Sequence, residues 1–125
     1  MIYKAQVTRL NKEVEEDVDL LIQGVELNCF ASICPYRLEP NKIYPIELEL
    51  IVLDEYRVVE LTGIDKPNFI KTGKGFAYEI RGRIVNSYFD AGGLLFKDDV
   101  LATEFGYLKG KMVSLTVDRI GVAFL

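Results

Sequence analysis

Residues 75–85 read Gly-Phe-Ala-Tyr-Glu-Ile-Arg-Gly-Arg-Ile-Val, and this segment decides the fold. Phe76, Tyr78 and Ile80 alternate with small or charged residues. A period of two residues predicts a β-strand with one buried face and one solvent-exposed face. Gly82 interrupts the strand, which predicts a bulge, a sharp bend or the close approach of another backbone segment.

The residues that follow predict a turn, a short strand and a short helix. The turn is at residues 90–93 and the strand at residues 94–96. The helix is predicted near residues 98–105, because Asp98 or Asp99 can accept hydrogen bonds from the free amides of its first turn.

The chain then predicts one more long strand. Gly106 is expected to end the helix in the left-handed conformation. Residues 113–117 alternate between apolar and polar side chains, as in a half-buried strand. The alternation changes phase around Gly121, which predicts a bend or bulge there.

The first half of the chain also has strand-like alternation. Residues 2–10, 25–33 and 46–53 predict three strands. Residues 10–22 have two interpretations, since their apolar residues fit either helical spacing or a strand at 18–22 that turns directly into the next strand. The strand is favoured.

Residues 62–75 contain several Gly, Pro and Asn residues and predict a long surface loop. Binding residues are often found on such loops when a rigid β scaffold holds them.

The order of these elements resembles an OB-type β-barrel, a five-stranded, partly open Greek-key barrel. The resemblance covers residues 18–125 and rests on element order alone; the strand at residues 2–10 would be an addition. We therefore predict an all-β, mostly antiparallel fold, as a small OB-like barrel with one short helix near residues 98–105. A β-sandwich is the alternative. At 125 residues, one domain covering residues 1–125 is expected.

The composition argues against most enzyme classes. The chain has no His, which removes the usual general base near neutral pH and the commonest metal ligand. Two cysteines, Cys29 and Cys34, cannot complete a four-ligand zinc site, and both are expected to be reduced and buried. A disulfide or a reactive thiol is the alternative. We predict no catalytic residue, no metal and no cofactor; an enzyme that works with carboxylates, Lys or Tyr is the remaining hypothesis.

The net charge of −4 is distributed unevenly. Residues 1–12 carry three basic residues and no acid, residues 13–60 carry twelve acids and three basic residues, and residues 61–125 carry seven acids and nine basic residues. The first residues contain no apolar stretch typical of a signal peptide, and no apolar run reaches the length of a membrane span. A cytoplasmic protein without membrane contact is expected.

One segment combines basic and aromatic residues in a way that is typical of anion-binding surfaces. The candidate ligand-binding residues are Lys66, Phe69, Lys71, Lys74, Arg81 and Arg83. The strand period places the two arginines on one face and the neighbouring aromatic residues on the other, so a solvated basic loop beside an ordinary strand is the competing interpretation.

Two functions follow from these patterns. The first is a non-enzymatic binding protein that contacts a basic protein partner through its acidic residues 13–60. Immunity-type inhibitors of basic nucleases are one such class. The alternative is an OB-like module that binds oligonucleotides or anionic glycans through residues 66–83. A homo-oligomer is a further expectation, with pairing through an edge strand at residues 2–10 or at the C-terminal segment.

Overall fold

The computed structural model describes residues 1–63 and 66–125. The strands of these residues are β1 (Ile2–Leu10), β2 (Asp17–Ile22), β3 (Val25–Ile33), β4 (Ile43–Ile51), β5 (Arg57–Glu60), β6 (Asn68–Lys71), β7 (Tyr78–Val85), β8 (Tyr88–Ala91), β9 (Leu94–Lys97), β10 (Met112–Val117) and β11 (Arg119–Phe124). A short helix, α1 (Asp99–Glu104), precedes a single 3-10 turn at Gly106–Leu108. The predicted all-β class is confirmed. In these residues no helix has the length and apolar character needed to cross a membrane.

The chain groups into two compact units. The first contains residues 1–48 and 120–125, and the second contains residues 49–119. The prediction of one domain over residues 1–125 is not tested by this grouping and stays a prediction.

The first unit is a sheet that closes into a ring. Its strand order is β1-β2-β3-β11-β4, and β1 also pairs with β4. Most neighbours are antiparallel, whereas β3 and β11 run parallel. Here β1 lies between β2 and β4, and β11 lies between β3 and β4. The expected pairing of a second copy at residues 2–10 or at the C-terminal segment stays a prediction. The fully buried side chains of the unit are Ala5, Val7, Val18, Leu20, Ile22, Leu27, Cys29, Ile46, Ile120, Val122 and Phe124.

The strand predicted at residues 18–22 is confirmed. β2 pairs with β3 along its whole length, from Asp17 opposite Phe30 to Ile22 opposite Val25. The two turn residues, Gln23 and Gly24, have φ of 49° and 80°. Positive φ at both central residues is typical of the type I′ turn, whose twist matches that of the two strands it joins.

The second unit contains an open sheet with the order β5-β10-β7-β8-β9, and β6 also pairs with β7. One face is apolar and its alternate residues are buried, as the sequence period predicted. The fully buried side chains of this unit are Ile80, Ile84, Phe89, Ala91, Leu94, Phe96, Leu101, Val113, Leu115 and Val117.

Gly82 lies where β6 and β8 meet the same edge of β7. β6 pairs with residues 78–81 and β8 with residues 83–85. A Cβ atom added to Gly82 would overlap the carbonyl oxygen of Asp90 and lie 3.1 Å from its carbonyl carbon. The predicted close approach of another backbone segment is therefore confirmed.

Several details differ from the prediction. Asp98 caps α1 as expected, but Gly106 begins the 3-10 turn and is not among the residues with positive φ, so the predicted left-handed stop is wrong. The predicted loop at 62–75 contains β6; its residues 64 and 65 lie outside the described residues. Cys29 is buried and Cys34 is exposed, both as free thiols, so the prediction of two buried cysteines is wrong for Cys34.

The OB-type arrangement is not confirmed. The closed ring includes β1, which that prediction treated as an addition, and the second half of the chain forms an open sheet. Strand alternation predicts which face of a strand is buried, but it leaves open which strands are neighbours. Element order alone was therefore insufficient to specify the closure.

Candidate functional site

The predicted anion-binding residues do not converge on one surface. Arg81 and Arg83 project from one face of β7, and Phe69 pairs with Ile80 on the opposite, buried face. The Phe69 ring packs 6.2 Å, centroid to centroid, from the ring of Phe96. The predicted separation of the arginines from the aromatic residues is confirmed, so a base stacked on Phe69 would be remote from both guanidinium groups.

Both arginines already have partners. The Nε of Arg81 donates to Oε2 of Glu79 at 3.0 Å, and the same carboxylate accepts from the hydroxyl of Ser114 at 2.8 Å. These bonds, from Ser114 first and from Arg81, lower the pKa of Glu79. Nη1 of Arg83 donates to the carbonyl oxygen of Gly110 at 2.8 Å. Each guanidinium group therefore already forms a hydrogen bond within the chain, Arg81 within β7 and Arg83 to the turn before β10.

The three lysines of the segment lie in β6 and beside it. Lys71 pairs with Tyr78 across β6 and β7, its Nζ lies 5.5 Å from the centroid of that ring, and it donates to the carbonyl oxygen of Gly75. Lys66 and Lys74 are exposed in the segments that flank β6. A ligand-binding role for the six residues stays a prediction.

The open edge of β5 is a different candidate site. The N–H of Leu61 donates to Met112 of β10 at 2.9 Å, and the ladder continues through Val59 opposite Ser114. Because hydrogen-bonding groups alternate along an antiparallel strand, Val58 and Glu60 direct their N–H and C=O groups away from β10. Among the described residues, no strand pairs with that side of β5.

This edge is exposed and carries apolar side chains. Val59 is 60 % exposed, and Leu53, in the segment before the strand, is 66 % exposed. Charged residues are present at both ends of the strand, where Arg57 and Glu60 are exposed and Lys111 Nζ lies 3.6 Å from Glu60 Oε1. Charged residues on an edge strand disfavour pairing with most other strands, but a segment with complementary charges can still pair with it.

A small acidic cleft lies at the start of this edge. Its volume is about 160 Å³, and its lining residues are Val52, Asp54, Glu55, Arg57, Thr116, Val117 and Asp118. Small-molecule sites are usually about 300–1,000 Å³, so a cleft of this size suits one long side chain better than a substrate.

The cleft has one fixed wall and two available carboxylates. Asp118 donates its backbone N–H to the carbonyl oxygen of Ile51 at 2.9 Å, and its Oδ2 accepts from the N–H of Leu53 at 2.7 Å. Asp54 and Glu55 are exposed and make no hydrogen bond or ion pair in the part of the chain that the structure describes. They are therefore free to meet a cation.

Part of the acidic sequence has a structural role instead. Asp17 and Asp19 bind the guanidinium of Arg9, with Nη2 at 2.5 Å from Asp17 Oδ1 and Nε at 2.7 Å from Asp19 Oδ2. The side-chain amide of Asn28 donates to both carboxylates. Burial alone would raise the pKa of Asp17, but the hydrogen bonds from Asn11, Asn28 and Arg9 outweigh it and lower that pKa. No group of three or more potential ligands that could hold a metal ion occurs in residues 1–63 and 66–125.

The β5 edge was not among the site residues that the sequence predicted. Its signal is the pair of β-branched residues Val58-Val59 between Arg57 and Glu60. Edge position follows from pairing with β10, more than fifty residues along the chain, and local patterns do not contain that information.

A family model described as "Uncharacterised conserved protein UCP019853" matches residues 1–125. No curated protein and no solved structure matches the chain.

Proposed function

The chain belongs to this uncharacterised family, and we propose that it is a protein-binding module that accepts an extended, basic segment of its partner along the free edge of β5. The observation that carries the proposal is the exposed edge of β5 directly beside an acidic cleft. A cytoplasmic location is part of the same proposal.

Strand addition explains how such an edge binds. An extended segment gains main-chain hydrogen bonds from the N–H and C=O groups that Val58 and Glu60 direct outward. Apolar side chains of the segment then cover Val59, which is otherwise exposed to water. With a strand of only four residues, the added ladder is short, so side-chain contacts must supply the specificity.

The acidic cleft predicts a basic residue in the partner. Asp54 and Glu55 place two unpaired carboxylates at the start of the edge, with Arg57 as the neighbouring cation. A Lys or Arg at one end of the bound segment would lie against them. Charge pairs of this kind mainly accelerate association and disfavour acidic segments, and they add less to affinity. Salt weakens them. An immunity-type inhibitor of a basic nuclease is one member of this class.

Two synthetic peptides of nine residues test the proposal, both built of alternating Val and Thr, one with Lys and one with Glu at its ends. We expect the Lys peptide to shift the backbone NMR signals of residues 53–61 saturably at about 50 mM salt and more weakly at about 500 mM. The Glu peptide should bind at least about tenfold more weakly, because like charges oppose its approach.

Matched variants assign the binding to the edge. Val58→Pro removes one outward N–H without removing a bond to β10, and it should abolish binding, whereas Val58→Ala should retain it. Asp54→Asn with Glu55→Gln should weaken the Lys peptide, with Glu104→Gln as the control at an exposed acid of α1. Equal binding by Val58→Pro and the parent chain, or no binding of the Lys peptide at low salt, would disprove the proposal.

A second copy of the chain is the rival occupant of the same edge. Sedimentation of the parent chain and of Val58→Pro measures the oligomeric state of each. If only the parent chain forms a dimer, the edge serves self-association and does not bind a basic partner.

The nucleic-acid or glycan alternative has less support, because Arg81 and Arg83 are engaged with Glu79 and Gly110. Fluorescence anisotropy with labelled single strands at about 50 mM salt tests it, since binding of that kind weakens steeply with salt. A flat titration excludes it for nucleic acid.

A further inference from the structure

The first unit contains a much larger cleft than the one beside β5. Its volume is about 540 Å³, within the usual range of about 300–1,000 Å³ for small-molecule sites. The residues that line it are Leu10, Asn11, Lys12, Glu15, Cys34, Tyr36, Arg37 and Leu38. They come from the end of β1, the segment that follows it and the segment after β3.

One wall of the cleft is held rigidly by Tyr36. Its hydroxyl donates to the carbonyl oxygen of Leu125 at 2.8 Å, and its ring stacks on Tyr44 with centroids 5.6 Å apart. Tyr44 in turn packs edge-on against the buried ring of Phe124, and its hydroxyl accepts from the N–H of Glu39 at 2.8 Å. With the two leucines of the lining, this wall offers a preformed apolar surface.

Two cations lie at the same cleft without a hydrogen-bonded acid, although the charge of Arg37 is felt by the carboxylate of Glu39, which is paired with Lys42. In the described residues, neither Lys12 nor Arg37 forms a hydrogen bond or an ion pair within 4 Å, and both are exposed. Glu15 is the one acid of the lining, so the charged groups of the cleft sum to +1. The side chain of Asn11 is already occupied: its Oδ1 accepts from the N–H groups of Glu13 and Val14.

We infer that this cleft binds a small organic anion, whose carboxylate or phosphate group meets Lys12 and Arg37 and whose apolar or aromatic body lies against Tyr36 and Leu38. Arg presents paired donors that match either anionic group, and Lys adds a point charge. A fixed aromatic wall lowers the entropic cost of binding, because no side chain must be ordered to form it. The site is independent of the β5 edge and does not rest on the proposed function.

Phenyl phosphate and phenylacetate are suitable probes, with inorganic phosphate and benzyl alcohol as matched fragments. In NMR titrations of the full chain, we expect one or both aromatic anions to shift the signals of residues 10–15 and 34–38 saturably. The comparison of the two identifies the preferred anionic group. Each fragment should bind at least about fivefold more weakly, since it lacks either the charge or the ring.

Variants then test the assigned residues. Lys12→Gln with Arg37→Gln should weaken the aromatic anions at least about fivefold, because two charge-assisted contacts are lost. Lys4→Gln, an exposed lysine of β1 outside the cleft, should leave the affinity unchanged. Cys34 supplies a second readout, since a bound anion should slow its alkylation by iodoacetamide.

Three results would overturn the inference. They are the absence of a saturable shift with either aromatic anion, an affinity that Lys12→Gln with Arg37→Gln does not change, and binding of inorganic phosphate as tight as that of phenyl phosphate. Thermal unfolding of each variant confirms that the exposed substitutions leave the fold intact.

Discussion

The hydroxyl of Tyr56 donates a hydrogen bond of 2.8 Å to Oδ2 of Asp98, and Oδ1 of the same carboxylate accepts from the N–H of Leu101 at 3.0 Å. One buried carboxylate therefore caps α1 and holds the residue immediately before β5. The Tyr56 ring also packs against Phe105, with centroids 6.3 Å apart. These contacts fix the start of the edge that we propose as the binding site.

Removal of this link should destabilise the second unit. Tyr56→Phe deletes the donor and leaves Asp98 with its cap bond, so we expect a loss of about 1 kcal/mol in the free energy of unfolding. Asp98→Ala deletes the cap and leaves the half-buried Tyr56 hydroxyl without its partner, and about 2–3 kcal/mol should be lost. Urea denaturation measures both. Tyr107→Phe is the control, because Tyr107 is 72 % exposed and makes no hydrogen bond in the described residues.

Tyr56 should also make the folded chain less stable at alkaline pH. Burial, and then the hydrogen bond and charge of Asp98, raise the pKa of Tyr56 above its ordinary value of about 10. Above that pH the unfolded chain releases the proton while the folded chain retains it, so the free energy of unfolding should fall as pH rises. Denaturation at pH 9 and 11 tests this, and Tyr56→Phe should show a smaller decrease. An equal decrease would contradict the assignment to Tyr56.

Gly82 and Gly75 form a matched pair for backbone packing. A Cβ at Gly82 would overlap the backbone of Asp90, which cannot yield as a flexible side chain can, so Gly82→Ala should cost about 3 kcal/mol or prevent pairing of β7 with β8. Gly75 has open space around it and no positive φ, so Gly75→Ala should change stability by less than about 0.5 kcal/mol. A neutral Gly82→Ala in thermal unfolding would refute the close approach.

Strand alternation predicted most elements, including β1, the hairpin of β2 and β3, and β7. It succeeded because inward and outward side chains follow a period of two in any half-buried strand. It did not predict the ring of the first unit, since closure depends on the pairing of β1 with β4, for example Tyr3 with Ile46. Nothing local distinguishes that partner from any other strand.

The candidate sites were harder to predict for the same reason. The basic residues of 66–83 are close in sequence, but a β-strand sends neighbours to opposite faces, and Phe69 is thereby separated from Arg81. The cleft of the first unit brings together Lys12 and Arg37, which are twenty-five positions apart. Its residues carry no motif, so only the folded chain reveals their proximity.

The cluster of Arg9, Asp17 and Asp19 predicts an acid limit of stability. Since the pKa of Asp17 is lower in the folded chain than in the unfolded one, its contribution is complete above pH of about 4 and disappears as pH falls through the folded value. Arg9→Gln should cost about 1 kcal/mol at pH 7, because two carboxylates lose a shared partner. With Asp17→Asn, the free energy of unfolding should change less between pH 5 and pH 2 than it does in the parent chain.

Lys42→Gln is the control for this cluster. Lys42 pairs with Glu39 in a fully exposed position, where solvent screens the interaction, and the substitution should leave stability almost unchanged. If Arg9→Gln also left the free energy of unfolding unchanged at low salt, the cluster would have no stabilising role.

The two thiols should differ sharply in reactivity. Cys29 is fully buried inside the ring of the first unit, and burial raises its pKa far above the ordinary value, so the reactive thiolate is absent at neutral pH. Cys34 is exposed, and its Sγ donates to the carbonyl oxygen of Tyr36 at 3.0 Å. We expect iodoacetamide to modify Cys34 alone in the native chain, and both residues in urea. Mass spectrometry of Cys34→Ser, which should remain unmodified until it unfolds, assigns the site. Modification of native Cys34→Ser at the rate of the parent chain would show that the ring opens readily, because a closed ring admits the reagent to Cys29 only through unfolding of β2 or β3.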